Sequence, residues 1–268
     1  MSRVRRVRRV RRYVRYQTVR STGRMYLVEA QTAKANPVTG SNQNDLIDQL
    51  SRKDRAHFLK ACEPVALVMS ETLCESGAPT LYAYFPTQGY ISLVSSVDGK
   101  PVLEVGMVGN EGMLGTQLVL GVMTSPLFAL VQGDGSALRI DAAAFRGELA
   151  HSKGLRENLT RYVQVIMTQL ATSAGCLRFH QIGERLARWL LMTQDRAHAD
   201  SFHVTHEFLA YMLGVRRVGV TAAALALHRQ GFIEYKRGDI VVLNRRGLES
   251  AACSCYAADR RVYRKVMN

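Results

Sequence analysis

The 268-residue chain is 47% hydrophobic and carries a formal net charge of +14 at pH 7. This composition supports packed cores in one large or two medium domains. The sequence has no apolar run of about eighteen residues or more, so no membrane-spanning helix is predicted. Five cysteines without regular spacing argue against a secreted disulfide scaffold and favour a reducing, cytoplasmic compartment.

The positive charge is concentrated at the N-terminus. Residues 1–24 hold ten arginines and no acid, so the remaining 26 basic residues exceed the 22 acidic residues by four. Three interpretations of residues 1–24 stay open. The segment is an arm that binds nucleic acid without specificity, a segment whose composition resembles a transit peptide, or sequence upstream of a true translation start at Met25. Residues 25–43 lack a core-forming periodicity, so 1–43 are predicted to be a basic, disordered leader.

Residues 45–62 are predicted to be helical. Ser51 can cap a turn in which Asp54 holds the third position. Phe58, Leu59 and Cys62 are then expected to face inward.

Residues 64–140 have the pattern of an antiparallel β-structure. Short β-rich runs lie between turn residues, and residues 97–100 form a good hairpin turn. Many short strands at close spacing predict a small barrel or sandwich. The predicted strands are 65–69, 81–85, 90–95, 101–108 and 128–132.

Two helices follow. Residues 141–150 are predicted to form a short helix capped by Asp141, and residues 155–177 a long one. Apolar residues on the long helix follow spacings of 4, 3, 4, 3 and 4, which is typical of a coiled-coil seam. The alternative is a helix packed on its own β-domain. The seam consists of Leu159, Val163, Ile166, Leu170, Ser173 and Leu177, and residues 179–181 are predicted to form a hinge.

Residues 182–197 are predicted to form an amphipathic helix, and residues 204–233 two short helices around a tight turn. Thr205 is a good N-cap, and Gly214 ends the first short helix because glycine adopts a left-handed conformation at little cost. The second helix spans about 217–230. Its inner face holds Val220, Ala223, Ala224 and Leu227, and its outer face holds Arg217, Val218, Thr221, Ala222 and Leu225.

The outer face of this second helix suits DNA. Arg217, near the helix start, can bond guanine bidentately, and Thr221 or Ala222 suits a thymine methyl. Residues 232–243 predict two strands around a turn at 236–239, so the hairpin forms a wing whose basic tip can reach phosphate. An ordinary helical hairpin with a solvated arginine pair is the alternative. Residues 246–256 are predicted to form a closing helix, and 257–268 a loose basic tail.

This stretch resembles the DNA-binding domain of the Crp/Fnr family of bacterial transcription regulators. The resemblance covers about residues 44–256. The matching residues are Thr205, Glu207, Leu209, Ala210, Leu213, Gly214, Arg216, Arg217, Val220, Leu227, Gly231, Phe232, Ile233, Arg237, Gly238 and Ile240. Residues 89–94 and 106–115 are likewise similar to the family's sensory β-roll.

The resemblance implies an α+β fold with defined parts. These are an N-terminal antiparallel, jelly-roll-like β-roll (44–150), a long dimerisation helix and hinge (151–181) and a C-terminal winged helix-turn-helix domain (182–256). It also implies a homodimer formed along the seam. The implied DNA-binding residues are Thr205, Arg216, Arg217, Val218, Gly219, Thr221, Ala222, Lys236 and Arg237. The family's further base-reading positions fall on Val218 and Ala222, which are apolar here, so its operator sequence is not carried over.

The family's cyclic-nucleotide site is altered in this chain. Gly109, Glu111 and Gly112 can imitate its first part, and are the candidate ligand residues. The position of the family's phosphate-binding arginine falls near Ser125, and no arginine lies between Arg55 and Arg139. A buried phosphate would lack its counter-charge. Cyclic AMP is therefore not expected, and the effector stays unknown.

No cofactor, metal site or catalytic residue is predicted. The first 61 residues contain no cysteine, which excludes the N-terminal iron–sulfur ligands of some relatives. Cys253 and Cys255 could ligate a metal or respond to oxidation, but spacing alone is weak evidence, and Cys74 and Cys176 are isolated in sequence. The sequence has no nucleophile elbow, P-loop or HExxH motif, so no enzyme is predicted.

The predicted function is control of transcription by a homodimer bound to a quasi-palindromic operator in double-stranded DNA. RNA polymerase is a further expected partner. Two alternatives remain: a ligand-independent architectural or adaptor protein on DNA, and a basic scaffold that binds membrane or RNA through residues 1–24. Both alternatives predict little sequence preference, whereas a regulator protects separated half-sites.

Overall fold

The computed structural model describes residues 43–97, 102–236 and 238–268. The predicted leader up to residue 42, most of the predicted turn at 97–100, and Arg237 lie outside these residues.

The first helical segment is divided in two, α1 (Asp45–Asp48) and α2 (Arg52–Ala61). The break comes at Ser51, whose Oγ accepts a hydrogen bond of 3.1 Å from the amide of Asp54, as predicted. Phe58 is buried, but Leu59 is 37% exposed and Cys62 is only half-buried. The prediction that all three face inward is therefore wrong for Leu59, which is the neighbour of Phe58 on the solvent side of the helix.

The β-domain is an antiparallel sheet in the order β1-β5-β3-β4, with β2 paired to β5. Its strands are β1 (Glu63–Leu67), β2 (Thr72–Cys74), β3 (Tyr82–Ser95), β4 (Leu103–Val108) and β5 (Phe128–Asp141). The antiparallel β-roll is confirmed. The predicted runs 81–85 and 90–95 are one strand, because the turn-like residues between them form bulges. Gly89, at φ +73°, allows the close approach of β5 there.

The core of the β-domain is closed by helices. Helix α3 (Ala142–His151) begins at the predicted cap, where Asp141 Oδ1 accepts from the amides of Ala143 and Ala144. Helix α4 (Lys153–Phe179) follows, capped by Ser152. Its buried residues share a cluster with α1, α2 and β3, so the long helix packs against its own β-domain.

The predicted dimer seam lies largely inside the single chain. Leu159 is fully buried, Val163, Ile166 and Ser173 are less than 9% exposed, and Leu170 and Leu177 are half-buried. The four buried side chains therefore have little area left to bury against a partner, and the role of the six in a dimer interface stays a prediction. A second stripe with the same spacing, one residue later along the helix, is exposed. It consists of Thr160, Gln164, Met167, Ala171, Ala174 and Arg178.

The C-terminal elements match the predicted winged helix. They are α5 (Ile182–Ala197), β6 (Ser201–His203), α6 (His206–Leu213), α7 (Arg217–Arg229), β7 (Ile233–Lys236) and β8 (Asp239–Val242). The sheet order is β6-β8-β7, all antiparallel. Strand β6 lies between the predicted helix at 182–197 and the predicted helix-turn-helix, where the sequence predicted no element.

The chain ends in two helices, α8 (Arg245–Ala251) and α9 (Ser254–Met267). The prediction of a loose basic tail over 257–268 is wrong. Tyr263, Val266 and Met267 pack against the core beside α4, while the basic residues of α9 face solvent. The helix is amphipathic, so a basic composition does not prevent docking.

Among the described residues, no single helix is long and apolar enough to cross a membrane. Helices α6 and α7 together reach the required length and apolar character, but they are bent by 109° at the turn between them.

Candidate nucleic-acid interface

Helices α6 and α7 form a helix-turn-helix. The hydroxyl of Thr205 accepts a hydrogen bond of 3.1 Å from the amide of Phe208, so Thr205 is the N-cap of α6. Gly214 ends that helix at φ +61°, in the left-handed region. The two helices meet at 109°, within the range of about 90–120° that is typical of the motif.

The inner face of α7 holds it in place. Val220 is fully buried, and Ala224 and Leu227 are less than 5% exposed. They belong to one cluster with Leu209 of α6 and Trp189 of α5. The predicted inner face of α7 is thus confirmed.

The outer face of α7 is open to solvent. Arg216, Arg217, Thr221 and Ala222 are exposed, and Val218 is 79% exposed. Gly219 differs from its neighbours: a Cβ placed there would lie 2.7 Å from Cδ1 of Ile182. This glycine therefore serves the packing of α7 against the start of α5, and its contact with DNA stays a prediction.

A small network, which the sequence did not reveal, orders the exposed face. His206 Nδ1 lies 3.0 Å from Thr221 Oγ1, and the Thr221 hydroxyl donates to the carbonyl of Arg217 over 3.1 Å. The His206 ring stacks on Tyr235 of β7, with the ring centroids 4.1 Å apart. Burial, with the nearby Arg217 charge, lowers the pKa of His206, so the imidazole is neutral at pH 7. The network ties α7 to α6 and to the wing.

The wing is braced at its tip. Gly238 has φ +92°, and its carbonyl accepts a hydrogen bond of 2.6 Å from the amide of Val204. His203 Nδ1 lies 2.8 Å from Asp239 Oδ1, and the histidine ring covers Gly238. Lys236 is exposed beside this turn, as a phosphate-contacting residue must be.

The helix-turn-helix is anchored to the rest of the chain at its turn. The guanidinium of Arg185, on α5, donates to the carbonyl of Leu213 at the end of α6. A Cβ on Gly214 would lie 2.8 Å from Leu103 Cδ1 of β4. The turn between the two helices therefore touches the β-domain directly.

Two polar contacts join the β-domain to α5. Arg196 Nη2 lies 2.7 Å from Glu111 Oε1, and both side chains are mostly buried. Trp189 Nε1 donates to Glu104 Oε1 over 2.9 Å.

The predicted ligand residues are part of this junction. Glu111 Oε2 also accepts from the amide of Gly109 over 3.1 Å. Gly112 lies against the hydroxyl of Tyr162, where a Cβ would collide with it. Gly109, Glu111 and Gly112 thus lie against this chain's own side chains, and their role as ligand residues stays a prediction.

A cavity of about 270 Å³ lies elsewhere in the β-domain. Gln117 Nε2 donates to Thr80 Oγ1 across its wall over 2.7 Å. The lining includes one carboxylate, Glu75, and no lysine or arginine among the described residues. Its lining residues are Thr72, Leu73, Cys74, Glu75, Pro79, Thr80, Leu81, Tyr82, Tyr84, Leu114 and Gln117.

Cys176 is isolated in the sequence, but in the structure it lies beside other cysteines. Its sulfur lies 3.5 Å from that of Cys253, and His180 and Cys255 complete a compact group of four.

Comparisons with known proteins agree with this geometry. A protein-family model described as the Crp-like helix-turn-helix domain matches residues 184–251. FixK2 from Bradyrhizobium japonicum has a similar structure, with a TM-score of 0.60 and 17% identity over 72% of this chain and 98% of that chain. A protein from Eubacterium rectale, assigned to the Crp/Fnr family of transcriptional regulators, gives a TM-score of 0.61 at 14% identity, over 77% of this chain and 96% of that one.

The c-di-GMP-responsive global regulator CLP of Xanthomonas campestris gives a TM-score of 0.55 at 16% identity, over 72% of this chain and 99% of that chain. No curated protein sequence matches the chain. At these identities the likeness to solved structures establishes the fold.

The family model identifies residues 184–251 as a Crp-like helix-turn-helix domain. The chain as a whole shares the fold of the structures compared. Of the structures compared, those from Eubacterium rectale and Xanthomonas campestris are described as regulators.

Proposed function

We propose that the protein is a homodimer that reads a quasi-palindromic DNA site through paired α7 helices. The single observation that carries this proposal is the open outer face of α7, headed by Arg216 and Arg217 and backed by a buried inner face. A recognition helix meets base edges through its first residues, and arginine pairs bidentately with guanine. Lys236 of the wing, with Arg237 beyond the described residues, would contact phosphate.

The proposed dimer forms along the outward stripe of α4. This stripe keeps the 4-3 spacing of a coiled-coil seam, and all six of its side chains are exposed. Met167 is 59% exposed at its centre, with the small side chains of Ala171 and Ala174 on the following turns. Small residues at such positions let two helices approach closely. A two-fold pairing would then present two α7 helices to successive half-sites, about 34–36 Å apart in dimers of this kind.

The proposed domain division follows the elements: a sensory β-roll over 44–150, the dimer helix and hinge over 151–181, and the DNA-binding domain over 182–256. Helix α4 ends at Phe179 and α5 begins at Ile182, so the hinge falls between them. The contacts Glu111–Arg196 and Glu104–Trp189 cross from the β-roll to α5. A signal that changes the β-roll would shift α5, and hence the spacing of the two reading helices.

The proposed effector is not cyclic AMP. The β-roll cavity is lined by Glu75 and by no arginine or lysine among the described residues, so a cyclic phosphate would meet a negative charge without a counter-charge. Isothermal calorimetry with cyclic AMP should show no tight binding; a tight complex would contradict this part of the proposal. RNA polymerase is the proposed protein partner. The proposed compartment is the cytoplasm, where the DNA lies.

The experiment that tests the proposed function is selection of bound duplexes from random sequence, followed by footprinting of the selected site. The expected result is protection of two inverted half-sites with centres about one helical turn apart. Uniform binding to every duplex would contradict the proposal and favour an architectural protein.

A further inference from the structure

Four side chains with metal-binding atoms meet where α4 ends and α9 begins. They are Cys176, His180, Cys253 and Cys255, and their sulfur and imidazole nitrogen atoms all lie within 4.8 Å of one another. Cys176 Sγ lies 3.5 Å from Cys253 Sγ, and Cys255 Sγ lies 3.5 Å from His180 Nδ1. The three cysteines are buried, and His180 is half-buried.

These separations fit a single tetrahedral ion. With Zn–S bonds of about 2.3 Å and Zn–N bonds of about 2.0–2.1 Å, tetrahedral angles place two sulfurs about 3.8 Å apart and a sulfur and nitrogen about 3.6 Å apart. Small side-chain rotations would bring the longer pairs to these values. An iron–sulfur cluster requires a wider arrangement, because its thiolates bind different iron atoms.

The helix ends also hold the four residues in positions that suit a metal site. Cys176 and His180 are four residues apart, at the last turn and the C-cap of α4, and so share one face. Cys253 is the N-cap of α9 and Cys255 lies in its first turn, where the helix dipole favours thiolates. The amide of Cys253 also donates to the carbonyl of Glu184 on α5, over 3.4 Å. Three elements therefore converge at the hinge.

The electrostatic surroundings suit a negatively charged metal centre. Three thiolates around a divalent ion leave one negative charge. The guanidinium groups of Arg185 and Arg188 lie close enough to interact with Cys176 and offset that charge.

We propose that Cys176, His180, Cys253 and Cys255 bind one Zn²⁺ ion in a structural Cys₃His site. The site joins the end of α4 to the start of α9 beside the hinge before α5. As each Zn–S bond forms, the thiol proton leaves to solvent, and nothing is oxidised or reduced. This proposal stands apart from DNA binding, because the metal content of the chain does not depend on whether DNA is read.

The test is metal analysis of the full chain, produced in zinc-replete medium and purified under reducing conditions. Mass spectrometry of the elements should find about one zinc per chain. Replacement by Co²⁺ should give the intense visible bands of a tetrahedral site and the near-ultraviolet charge transfer of cobalt–thiolate bonds. Cys176→Ser and Cys255→Ser should each lose both signals.

Cys74→Ser is the matched control, because Cys74 is a half-buried thiol in β2 and lies outside the group. It should keep the metal and the spectrum. Should the serine variants of the site fail to fold, as judged by circular dichroism, the cobalt spectrum of the unaltered chain decides alone. The proposal is overturned by a folded, reduced chain that takes up neither ion. It is equally overturned if the chain shows a Cys176–Cys253 disulfide and, once reduced, takes up no metal.

Discussion

The indole nitrogen of Trp189 donates a hydrogen bond of 2.9 Å to Oε1 of Glu104, and so ties α5 to β4. The hydroxyl of Ser92, on β3, bonds the second carboxyl oxygen of the same glutamate. Burial raises the pKa of Glu104 to about 7, because these two hydrogen bonds and the distant arginines offset only part of the desolvation of the charge.

Glu104 should make the stability of the chain depend on pH. A carboxyl whose pKa is higher in the folded state than its usual 4.5 binds its proton more tightly there, so its contribution to stability is present at low pH and is lost as pH rises from about 4.5 to about 7. Glu104→Gln stays neutral and can keep both hydrogen bonds. In urea denaturation the unfolding free energy of the variant should exceed that of the unaltered chain by roughly 1–3 kcal/mol at pH 8 and nearly equal it at pH 4. An equal difference at both pH values would refute the raised pKa.

The ion pair between Arg196 and Glu111 should contribute strongly to stability, because it is mostly buried. Arg196→Met leaves Glu111 as an uncompensated charge and should lower the unfolding free energy by about 3–5 kcal/mol. The control is Lys153→Met, which removes an exposed pair with Glu157 at 3.5 Å and should change stability by less than about 1 kcal/mol. Comparable losses from the two variants would show that the junction with α5 is not the tight contact described.

Local signals in the sequence predicted the helix-turn-helix well. Thr205 and Gly214 mark the ends of α6 by their own backbone preferences, and the helical spacing of the apolar residues on α7 identifies its buried face. The β-roll was predicted in outline. Bulges hid the continuity of β3, because residues typical of turns can also stand inside a strand.

Features that depend on distant contacts were missed. The periodicity of α4 predicts the spacing of its stripes but not which of two adjacent stripes faces the core. The sequence analysis assigned the dimer seam to the stripe that faces the core in the structure. The spacing of Tyr263, Val266 and Met267 was a signal for α9, but the basic charge of the segment obscured it. Cys176 and Cys253 are 77 residues apart in sequence, so nothing local joins them.

The outward stripe of α4 should hold the dimer together. Met167→Asp places a charge at the centre of the proposed seam, where it would be desolvated without a partner, and should yield monomers in sedimentation velocity. Val68→Asp is the matched control, since Val68 is 56% exposed in the β-domain away from α4. A Met167→Asp chain that sediments as a dimer would place the interface elsewhere.

Two chains are proposed to read one duplex with helices headed by Arg217. Fluorescence anisotropy, with the selected DNA site and with single-base variants of that site, tests this most directly. Arg217→Ala should cost about 1–3 kcal/mol on the selected site and abolish discrimination at one base pair in each half-site. Arg146→Ala removes an equal charge from an exposed position on α3 and should leave discrimination intact. If Arg217→Ala weakens binding equally on every duplex, Arg217 contacts only the backbone and the account is contradicted.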